Sequence, residues 1–390
     1  MHSNYSQRKK INKKSKINAG LYIHIPFCKV KCVYCDFYTV TKKEDKIPLF
    51  TQSVIDEIEQ YKNYSKKWVF NTLFFGGGTP SLLPAMYLEK ILRKLHDTFD
   101  ISDLKEITLE ANPGEASLEY LRDIKSLGIN RISMGFQSFN DKTLKILGRL
   151  HNSKDCFKTF KNVRKAGFEN INADMIFNIP NLTVDNWGKD LNKLLELDPE
   201  HISAYSLTVE PSTQLFNLVK RKEIIMPLED TDIEQFLVTE DILLKNGYNH
   251  YEISNYSKSK KECLHNLHYW NLSPYLSFGP SAHSYDLKKR WWNVRSLEKY
   301  INKISSSVLP LEGSEEIEAK DHYNEMILNS LRLSEGLDLN LLKRSYIGNF
   351  DDYISQIINK WDCMEINDQS LRLSRNGMLF VDEISSDMFI

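Results

Sequence analysis

Three kinds of pattern are missing from this sequence. No stretch of the 390 residues approaches the roughly 18 consecutive apolar residues of a membrane span, and no apolar segment with a cleavage site follows the basic start. Cysteine is scarce, with six residues of which three are isolated, so a disulfide framework is not expected. We therefore expect no membrane span, no export, and a location in the reducing cytoplasm.

A strong net charge is also missing. The formal charge is −1, but the first twenty residues hold six basic side chains and no acidic one, so the remainder carries about −7. A nucleic-acid-binding protein needs a basic surface to displace counterions, so we expect no nucleic-acid partner. We predict that residues 1–20 form a disordered basic tail, since no apolar face orders them; contact with anionic lipid or RNA is the alternative.

The rest of the chain has the composition of a folded globular protein, with 41% hydrophobic and 26% charged residues. Between residues 21 and 211, β-rich runs alternate with segments of helical periodicity. The runs cover 21–26, 68–75, 106–111, 131–136, 170–177 and 201–209, and the helical segments cover 46–61, 86–98, 117–127, 154–166 and 183–197. Six such units predict an α/β fold with a parallel sheet, either open and doubly wound or curved into a partial barrel.

Two further regions follow the alternating part. Residues 212–312 form an aromatic-rich extension, and residues 313–390 read as a small helical module with short strands. In a parallel sheet, polar residues placed just after the strands meet at the carboxyl edge, where ligands bind in both candidate architectures. The sequence therefore predicts a site at that edge of the domain formed by residues 21–211.

Three clustered cysteines follow the first β run. Cys28, Cys32 and Cys35 have the spacing C-x3-C-x2-C. Three thiolates on a four-iron cluster leave one iron without a protein ligand, whereas ferredoxins close their clusters with a fourth cysteine. The alternative is zinc, but structural zinc sites use four ligands in separated pairs, and the nearest extra candidate is His24 on the preceding strand.

The segment around these cysteines resembles the signature of the HemN/HemW branch of radical S-adenosylmethionine (SAM) proteins. The matching residues are Tyr22-Ile-His24-Ile-Pro26-Phe27-Cys28, Cys32 and Tyr34-Cys35. The resemblance implies a partial (β/α)6 radical SAM barrel followed by a helical, winged-helix-like C-terminal module. It also implies a [4Fe-4S] cluster on the three cysteines, with SAM chelating the open iron and being cleaved to a radical by the reduced cluster.

A glycine-rich turn, Gly76-Gly77-Gly78-Thr79, closes the second β run. Glycines let a backbone approach a ligand and expose amide donors, which suits the methionine end of SAM. Farther along, Glu110 and Asp174 can accept ribose hydroxyl groups, and Arg149 can pair with a carboxylate. Each has a structural alternative when taken alone. The family resemblance implies nine SAM contacts: Tyr22, Tyr34, Gly77, Gly78, Thr79, Glu110, Gln137, Arg149 and Asp174, with Thr208 as a weaker candidate.

Two functions occur in this branch. One is the enzyme oxygen-independent coproporphyrinogen III dehydrogenase, a radical SAM decarboxylase of propionates, and the other is the heme chaperone function of the HemW family. The dehydrogenase carries a further cysteine where this chain has Phe37, and its N-terminal extension is longer. Both features favour a chaperone that binds heme and transfers it to an acceptor, such as a respiratory membrane protein, with the dehydrogenase as the alternative.

The segment His265-Asn266-Leu267-His268-Tyr269-Trp270 matches the H-N-x-x-Y-W pattern of the HemW family. Imidazole is a common axial ligand of heme iron, and the flanking aromatic side chains could stack on a porphyrin. We predict His265 as the heme ligand. The alternatives are that the motif only packs the barrel against the C-terminal module, or that the ligand is another candidate: His268, His250, His283 or Cys263.

Overall fold

The computed structural model describes residues 16–367 and 369–390. The strands of the first part of the chain are β1 (Ile17–Ile25), β2 (Phe27–Cys28), β3 (Val40–Thr41), β4 (Trp68–Gly77), β5 (Glu106–Ala111), β6 (Arg131–Gln137), β7 (Ile171–Phe177) and β8 (His201–Ser206). Its helices are α1 (Ile47–Gln60), α2 (Ala85–Thr98), α3 (Leu118–Ser126), α4 (Asp141–Ile146), α5 (Ser153–Lys165) and α6 (Val184–Leu195).

The predicted basic tail overlaps the first strand. β1 begins at Ile17, four residues before the predicted start of the barrel, so residues 17–20 belong to the sheet and not to a tail. Their partners explain the difference, because Ile17 and Asn18 pair with Trp68 and Val69 of β4. Residues 1–15, which carry most of the predicted tail, lie outside the described residues.

Six parallel strands form the centre of one twelve-stranded sheet. β1, β4, β5, β6, β7 and β8 are neighbours in chain order and all pair in parallel. In a doubly wound sheet the order of the strands reverses, so that later strands are added on the other side of the first strand. In a barrel each strand is added beside the previous one. The end strands of this sheet do not pair with each other, so the predicted partial barrel is confirmed.

The aromatic-rich extension is part of the same sheet. Its strands are β9 (Asn249–Glu252), β10 (Asn255–Ser257), β11 (Tyr275–Phe278), β12 (His283–Tyr285), β13 (Lys289–Asn293) and β14 (Leu311–Glu316), and its helices are α7 (Gln214–Lys220), α8 (Glu229–Lys245), α9 (Leu264–Trp270) and α10 (Leu297–Ser305). β10 and β9 continue the sheet beyond β8, while β11 pairs in parallel with β1 and leads to β12, β13 and β14. The boundary predicted at residue 211 therefore does not divide the sheet.

The C-terminal module has a hydrophobic core of its own, which includes Tyr323, Leu342 and Leu371. Its elements are α11 (Ala319–Ser330), β15 (Leu337–Asp338), α12 (Leu339–Ser345), α13 (Phe350–Lys360), β16 (Met364–Asn367), β17 (Ser370–Leu373) and α14 (Val381–Asp387). Arg290 of β13 connects it to the barrel through an ion pair of 2.9 Å with Glu325. The predicted helical module with short strands is confirmed.

Candidate functional site

The three clustered cysteines lie at the end of β2 and on the segment that leads from β2 to β3, at the carboxyl edge of the parallel strands. Cys28 is buried at the end of β2, Cys32 and Cys35 are half-buried, and all three thiols are free. They line one cavity of about 880 Å³. Within the segment, the Cys35 amide donates to the Cys32 carbonyl at 3.2 Å, which closes a turn between these two cysteines.

The surroundings of the thiols suit ligands that bind as thiolates. Burial raises the pKa of Cys28 to about 11 and also raises the pKa of Cys35, so both thiols hold their protons at neutral pH without a metal. Binding iron therefore releases protons from these groups. Thr79 Oγ1 lies 3.4 Å from Cys28 Sγ, and the Arg149 guanidinium donates to Cys32 Sγ at 3.5 Å. Both sulfur atoms therefore have a hydrogen-bonding neighbour that can stabilise negative charge on a thiolate.

The geometry fits a cluster better than a single ion. In the described residues, no three His, Cys, Asp or Glu side chains converge as ligands of one metal ion. A [4Fe-4S] cluster binds each thiolate through a different iron, so its cysteines surround a volume instead of one point. Cys28, Cys32 and Cys35 all face the same large cavity, which is what such a cluster requires.

The glycine-rich turn packs closely against the cysteine segment, and its backbone amides already donate hydrogen bonds within the protein. The amide of Gly77 donates to Glu110 Oε2 at 3.0 Å, and the amides of Gly78 and Thr79 donate to the carbonyls of Ile25 and Phe27, both at 2.8 Å. The predicted use of these amides as SAM donors is therefore wrong for this conformation. A Cβ at Gly78 would lie 2.8 Å from the Phe27 carbonyl oxygen, so glycine is needed to bring the turn against the cysteine segment.

Two carboxyl groups line the cavity from neighbouring parts of the sheet. Burial raises the pKa of Glu110 to about 8, and the charge of Asp174 adds to this shift. Burial also raises the pKa of Asp174, although Asn172 and Ser133 donate to its two oxygens at 2.7 and 3.1 Å. Both carboxyl groups can accept hydrogen bonds from ligand hydroxyls, as expected for ribose binding.

Gln137 ends β6 in a strained conformation. Its φ is 67°, in the left-handed region that non-glycine residues rarely adopt, and the register of β6 against β7 shifts between Gly135 and Gln137. The side chain lines the cavity, and a Cβ at Gly135 would lie 2.8 Å from its Nε2. The bulge therefore directs this amide toward the cavity, and Gly135 leaves room for it.

Arg149 is part of a hydrogen-bonded network behind the cysteines. Its Nη2 donates to Asn112 Oδ1 at 2.5 Å and to the Gly135 carbonyl at 2.9 Å. Asn112 Nδ2 in turn donates to Thr79 Oγ1 and to Glu115, both at 3.0 Å. The sequence analysis predicts no role for Asn112 or Glu115, although Asn112 stands in the motif that begins with Glu110. The position of Asn112, two residues after Glu110 of β5, is the feature of the sequence that could have indicated its place in the site.

Eleven of the thirteen predicted site residues line this one cavity: Cys28, Cys32, Tyr34, Cys35, Gly77, Gly78, Thr79, Glu110, Gln137, Arg149 and Asp174. Thr208 lines it as well. Tyr22 does not; it lines a second cavity and its hydroxyl lies 3.2 Å from His24 Nδ1. The carboxyl ends of the parallel strands thus bring most of the predicted residues together.

His265 lies away from the cavity. It is 1% exposed, with Nδ1 at 2.9 Å from Thr72 Oγ1 and Nε2 at 2.9 Å from the Tyr269 hydroxyl. Neither ring nitrogen is available to a heme iron in this conformation. The backbone amide donates to Glu106, so the start of α9 is tied to β5. The geometry agrees with the alternative in which the motif packs the barrel against the C-terminal module, since Asn329 of α11 donates to the Tyr269 carbonyl at 3.2 Å.

Of the other four predicted candidates for a heme ligand, two are hydrogen-bonded within the protein and one is buried. His268 Nε2 lies 2.7 Å from Asn71 Oδ1, and His250 lies between Glu240 and the Ile253 carbonyl. Cys263 is fully buried, and burial raises the pKa of its thiol to about 12. His283, in contrast, is exposed.

Comparisons with known proteins agree with this architecture. The family model of the radical SAM superfamily matches residues 22–194, and that of the HemN C-terminal domain matches residues 317–380. The solved structure of coproporphyrinogen III oxidase (HemN) from Escherichia coli has a TM-score of 0.83 at 21% identity, covering 96% of this chain and 90% of that one. At this identity the likeness concerns the fold.

Curated relatives are more similar in sequence. The heme chaperone HemW of Bacillus subtilis is 32% identical over 367 residues, covering 93% of this chain and 97% of that protein. The heme chaperones HemW of Lactococcus lactis and Haemophilus influenzae are 34% and 33% identical, covering 87% and 94% of this chain and 89% and 96% of those proteins.

The barrel, the three-cysteine segment and the cavity beside it are those of a radical SAM protein. Within this class, the extent and level of the sequence identity decide the family. The chain belongs to the HemW family. None of the helices in the described ranges is long and apolar enough to cross a membrane.

Proposed function

We propose that this protein is a heme chaperone that binds heme and transfers it to acceptor proteins, and that it carries a [4Fe-4S] cluster and SAM. The observation that carries the proposal is the identity of at least 32% over most of the chain to three proteins named heme chaperone HemW. The local chemistry agrees with it. Phe37, which is 66% exposed, stands where the dehydrogenase of this branch would have a further cysteine.

In this proposal Cys28, Cys32 and Cys35 hold the cluster. Their joint exposure to one cavity and the absence of a fourth cysteine lining it support an open iron in the described part of the chain. When bound, the cluster supplies a coordination position and one-electron chemistry. The Arg149 guanidinium, 3.5 Å from Cys32 Sγ, stabilises negative charge on that sulfur.

SAM occupies the remainder of the cavity beside the cysteines. Glu110 and Asp174 accept hydrogen bonds from its ribose, and the strained Gln137 presents its side-chain amide to the adenosyl part. Tyr34 is held beside Arg149, and burial raises its pKa, so its hydroxyl stays protonated and can donate. These roles follow from what each side chain can donate or accept at the place where it lies.

The acceptor of the heme is a heme protein, such as a respiratory membrane protein, and the chaperone works from the cytoplasm. The six basic side chains within residues 1–16 would attract it to anionic lipid near such an acceptor. Deleting residues 1–16 should reduce binding to vesicles with anionic lipids and leave heme binding intact. Unchanged vesicle binding would contradict the role of the tail.

The test begins with anaerobic reconstitution by iron and sulfide. One aliquot receives heme, and the other receives coproporphyrinogen III, SAM and a reductant. We expect a Soret band that survives gel filtration at about one heme per chain, with no protoporphyrinogen formed. Protoporphyrinogen together with SAM consumption would instead identify the dehydrogenase, and the absence of stable heme binding would contradict the chaperone function.

A second step measures transfer. Heme-loaded protein is mixed with an apo heme protein, and the Soret spectrum of each is recorded after separation. Loss of heme from the chaperone with matching gain by the acceptor is the expected result. Free heme at the same concentration is the control, because unassisted uptake would give the same final spectrum without a chaperone.

A further inference from the structure

A second cavity, of about 370 Å³, lies beside the cluster cavity and has no role in the proposed binding of the cluster and SAM. Its volume falls within the range of small-molecule sites. Phe37 lines both cavities, so the two are neighbours across the cysteine segment. The residues that line the second cavity are mostly aromatic or polar, and they include Tyr22, Asp36, Tyr275, Ser277, His283 and Arg295.

The sheet extension builds one wall of this cavity. Tyr22 of β1 is opposite Ser277 of β11, Tyr275 of β11 is opposite Tyr285 of β12, and His283 is opposite Trp292 of β13. Residues that are opposite each other in paired strands lie on the same face of a sheet. A continuous aromatic face therefore runs from β1 to β13, with His283 in its outer part.

His283 differs from the other histidines that line the two cavities. His24 lies 2.9 Å from the Tyr38 carbonyl and 3.2 Å from the Tyr22 hydroxyl, and His151 lies 3.1 Å from the Phe136 carbonyl. The ring of His283 makes no hydrogen bond to any of the described residues and stacks on Trp292, with centroids 5.7 Å apart and planes at 20°. Stacking fixes the ring and leaves its nitrogens available.

Two polar groups that line the same cavity have hydrogen-bonding capacity that the protein itself does not use. Ser277 is only 4% exposed, yet its hydroxyl has no hydrogen-bond partner among the described residues. A buried polar group without a partner costs free energy, so a ligand that bonds to it is favoured. At the entrance, Arg295 donates to the Asp36 carbonyl at 2.5 Å and keeps about half of its side chain exposed, so further donors remain for an anion.

These features match one class of ligand. A metalloporphyrin presents a wide apolar face, a metal that takes an axial imidazole, and carboxylates at its edge. The cavity offers tyrosine rings for the face, an imidazole without a hydrogen bond, and a guanidinium at the entrance. Among the described residues, Asp36 is the one carboxylate in the lining, and Arg295 already faces it, so the entrance is not left with an uncompensated negative charge.

We propose that heme binds in this second cavity, with His283 as the axial ligand of its iron and Arg295 as the partner of a propionate. The inference rests on the proposed heme chaperone function and assigns its heme site. The bond forms by donation of a nitrogen lone pair to the iron, with water or another weak ligand leaving, and no electron is transferred. The site adjoins the cluster cavity through Phe37.

The experiment compares His283→Ala with His322→Ala in the full-length, reconstituted protein. His322 is an exposed histidine of α11 that lines neither cavity, so it controls for the loss of a surface imidazole. Each variant is titrated with heme and, separately, with iron-free protoporphyrin IX. We expect His283→Ala to weaken heme binding on the order of tenfold or more and to shift the Soret band, while protoporphyrin binding changes little. Free imidazole should restore the band position.

The outcomes separate the two proposals. If the unchanged protein binds no heme, the chaperone function fails. If it binds heme and His283→Ala gives the same affinity and spectrum, the chaperone function stands and the site assigned here is wrong. Equal loss of heme and protoporphyrin binding without rescue by imidazole would show a packing role and would overturn the ligand assignment. Arg295→Gln should weaken both ligands alike, and unchanged affinity would remove its part in the proposal.

Discussion

The Glu110 carboxyl group accepts a hydrogen bond of 3.0 Å from the amide of Gly77, joining the ends of two neighbouring parallel strands. This contact holds the glycine turn and fixes one carboxyl oxygen. The other oxygen is left for a ligand in the cavity. Because burial raises the pKa of Glu110 to about 8, this group also makes the free energy of unfolding depend on pH.

We predict that Glu110→Gln weakens SAM binding by up to about tenfold, since Glu110 with a pKa of about 8 is mostly protonated at pH 7 and a hydrogen bond between neutral groups is worth about 0.5 to 1.5 kcal/mol. It should also reduce the loss of stability as pH rises. The native pKa lies above the ordinary 4.5, so the contribution of Glu110 is full below pH 4.5 and is lost as pH rises through about 8. Calorimetric SAM titration and urea unfolding of SAM-free protein at pH 5 and 8 check both effects.

Glu252→Gln is the matched control for this prediction. Glu252 is buried at the end of β9, burial raises its pKa to about 8 as well, and it does not line the cluster cavity. Its variant should change the pH dependence of stability in the same direction and leave SAM affinity unchanged. Equal SAM affinity for Glu110→Gln and the unchanged protein would contradict the role given to Glu110.

The parts of the site that the sequence predicts well are those fixed by strand direction. Glu110 and Asp174 stand at or near the ends of buried β runs, so parallel pairing alone brings them to one edge. The hydrogen bonds of the glycine turn cannot be predicted from composition, because composition indicates where a backbone can bend but not which acceptors its amides meet. The Gly78 amide donates to Ile25 at the end of β1 and the Thr79 amide to Phe27 at the start of β2, and both acceptors are remote in sequence.

The extension was the least predictable part. β11 and β12 are strands of four and three residues, too short for a distinct alternation, and β11 joins β1 from more than 250 residues away. The same long-range packing places His265 against Thr72. Its motif gives the residue types but not the partners, and the partners decide whether an imidazole is free to bind a metal.

Each cluster cysteine should be indispensable for iron binding. We predict that Cys32→Ala, purified and reconstituted without oxygen, lacks the broad absorbance of an iron-sulfur cluster, because two thiolates remain for three iron positions. Cys363→Ala is the control, since this half-buried cysteine belongs to the C-terminal module and does not line the cavity. A full complement of four irons in Cys32→Ala would contradict the cluster assignment.

SAM affinity should decrease when Arg149 is replaced by lysine, although this substitution keeps the positive charge. Its Nη2 reaches Asn112 and Gly135 while Nη1 reaches Cys32, a fork that the single ammonium of lysine cannot reproduce. We expect Arg149→Lys to lower SAM affinity by about tenfold, or about 1.4 kcal/mol, with the cluster still assembled. Arg122→Lys, on an exposed part of α3, should bind SAM like the unchanged protein. Iron content and SAM titration of both variants decide the matter.

The buried Glu57 of α1 fixes the extension to the barrel. Its carboxyl group accepts hydrogen bonds from the Gly279 amide at 2.9 Å, Asn293 Nδ2 at 2.7 Å and the Tyr300 hydroxyl at 2.6 Å. Glu57→Ala leaves the Gly279 amide and the Tyr300 hydroxyl buried without this acceptor, while Asn293 Nδ2 keeps its bond of 2.9 Å to the Gly279 carbonyl. We therefore predict a loss of roughly 2 to 3 kcal/mol in the free energy of unfolding, measured in urea.

The loss should also depend on pH in a defined direction. Burial raises the pKa of Glu57 to about 7, so its stabilising contribution is largest in acid and declines as pH rises through 7. The difference between Glu57→Ala and the unchanged protein should thus be larger at pH 5.5 than at pH 8. Glu59→Ala should unfold like the unchanged protein, because Glu59 lies two residues along the same helix but is exposed, where its ion pairs with Lys62 and Lys94 contribute little. A Glu57→Ala variant as stable as Glu59→Ala would show that the extension is held by its apolar contacts alone.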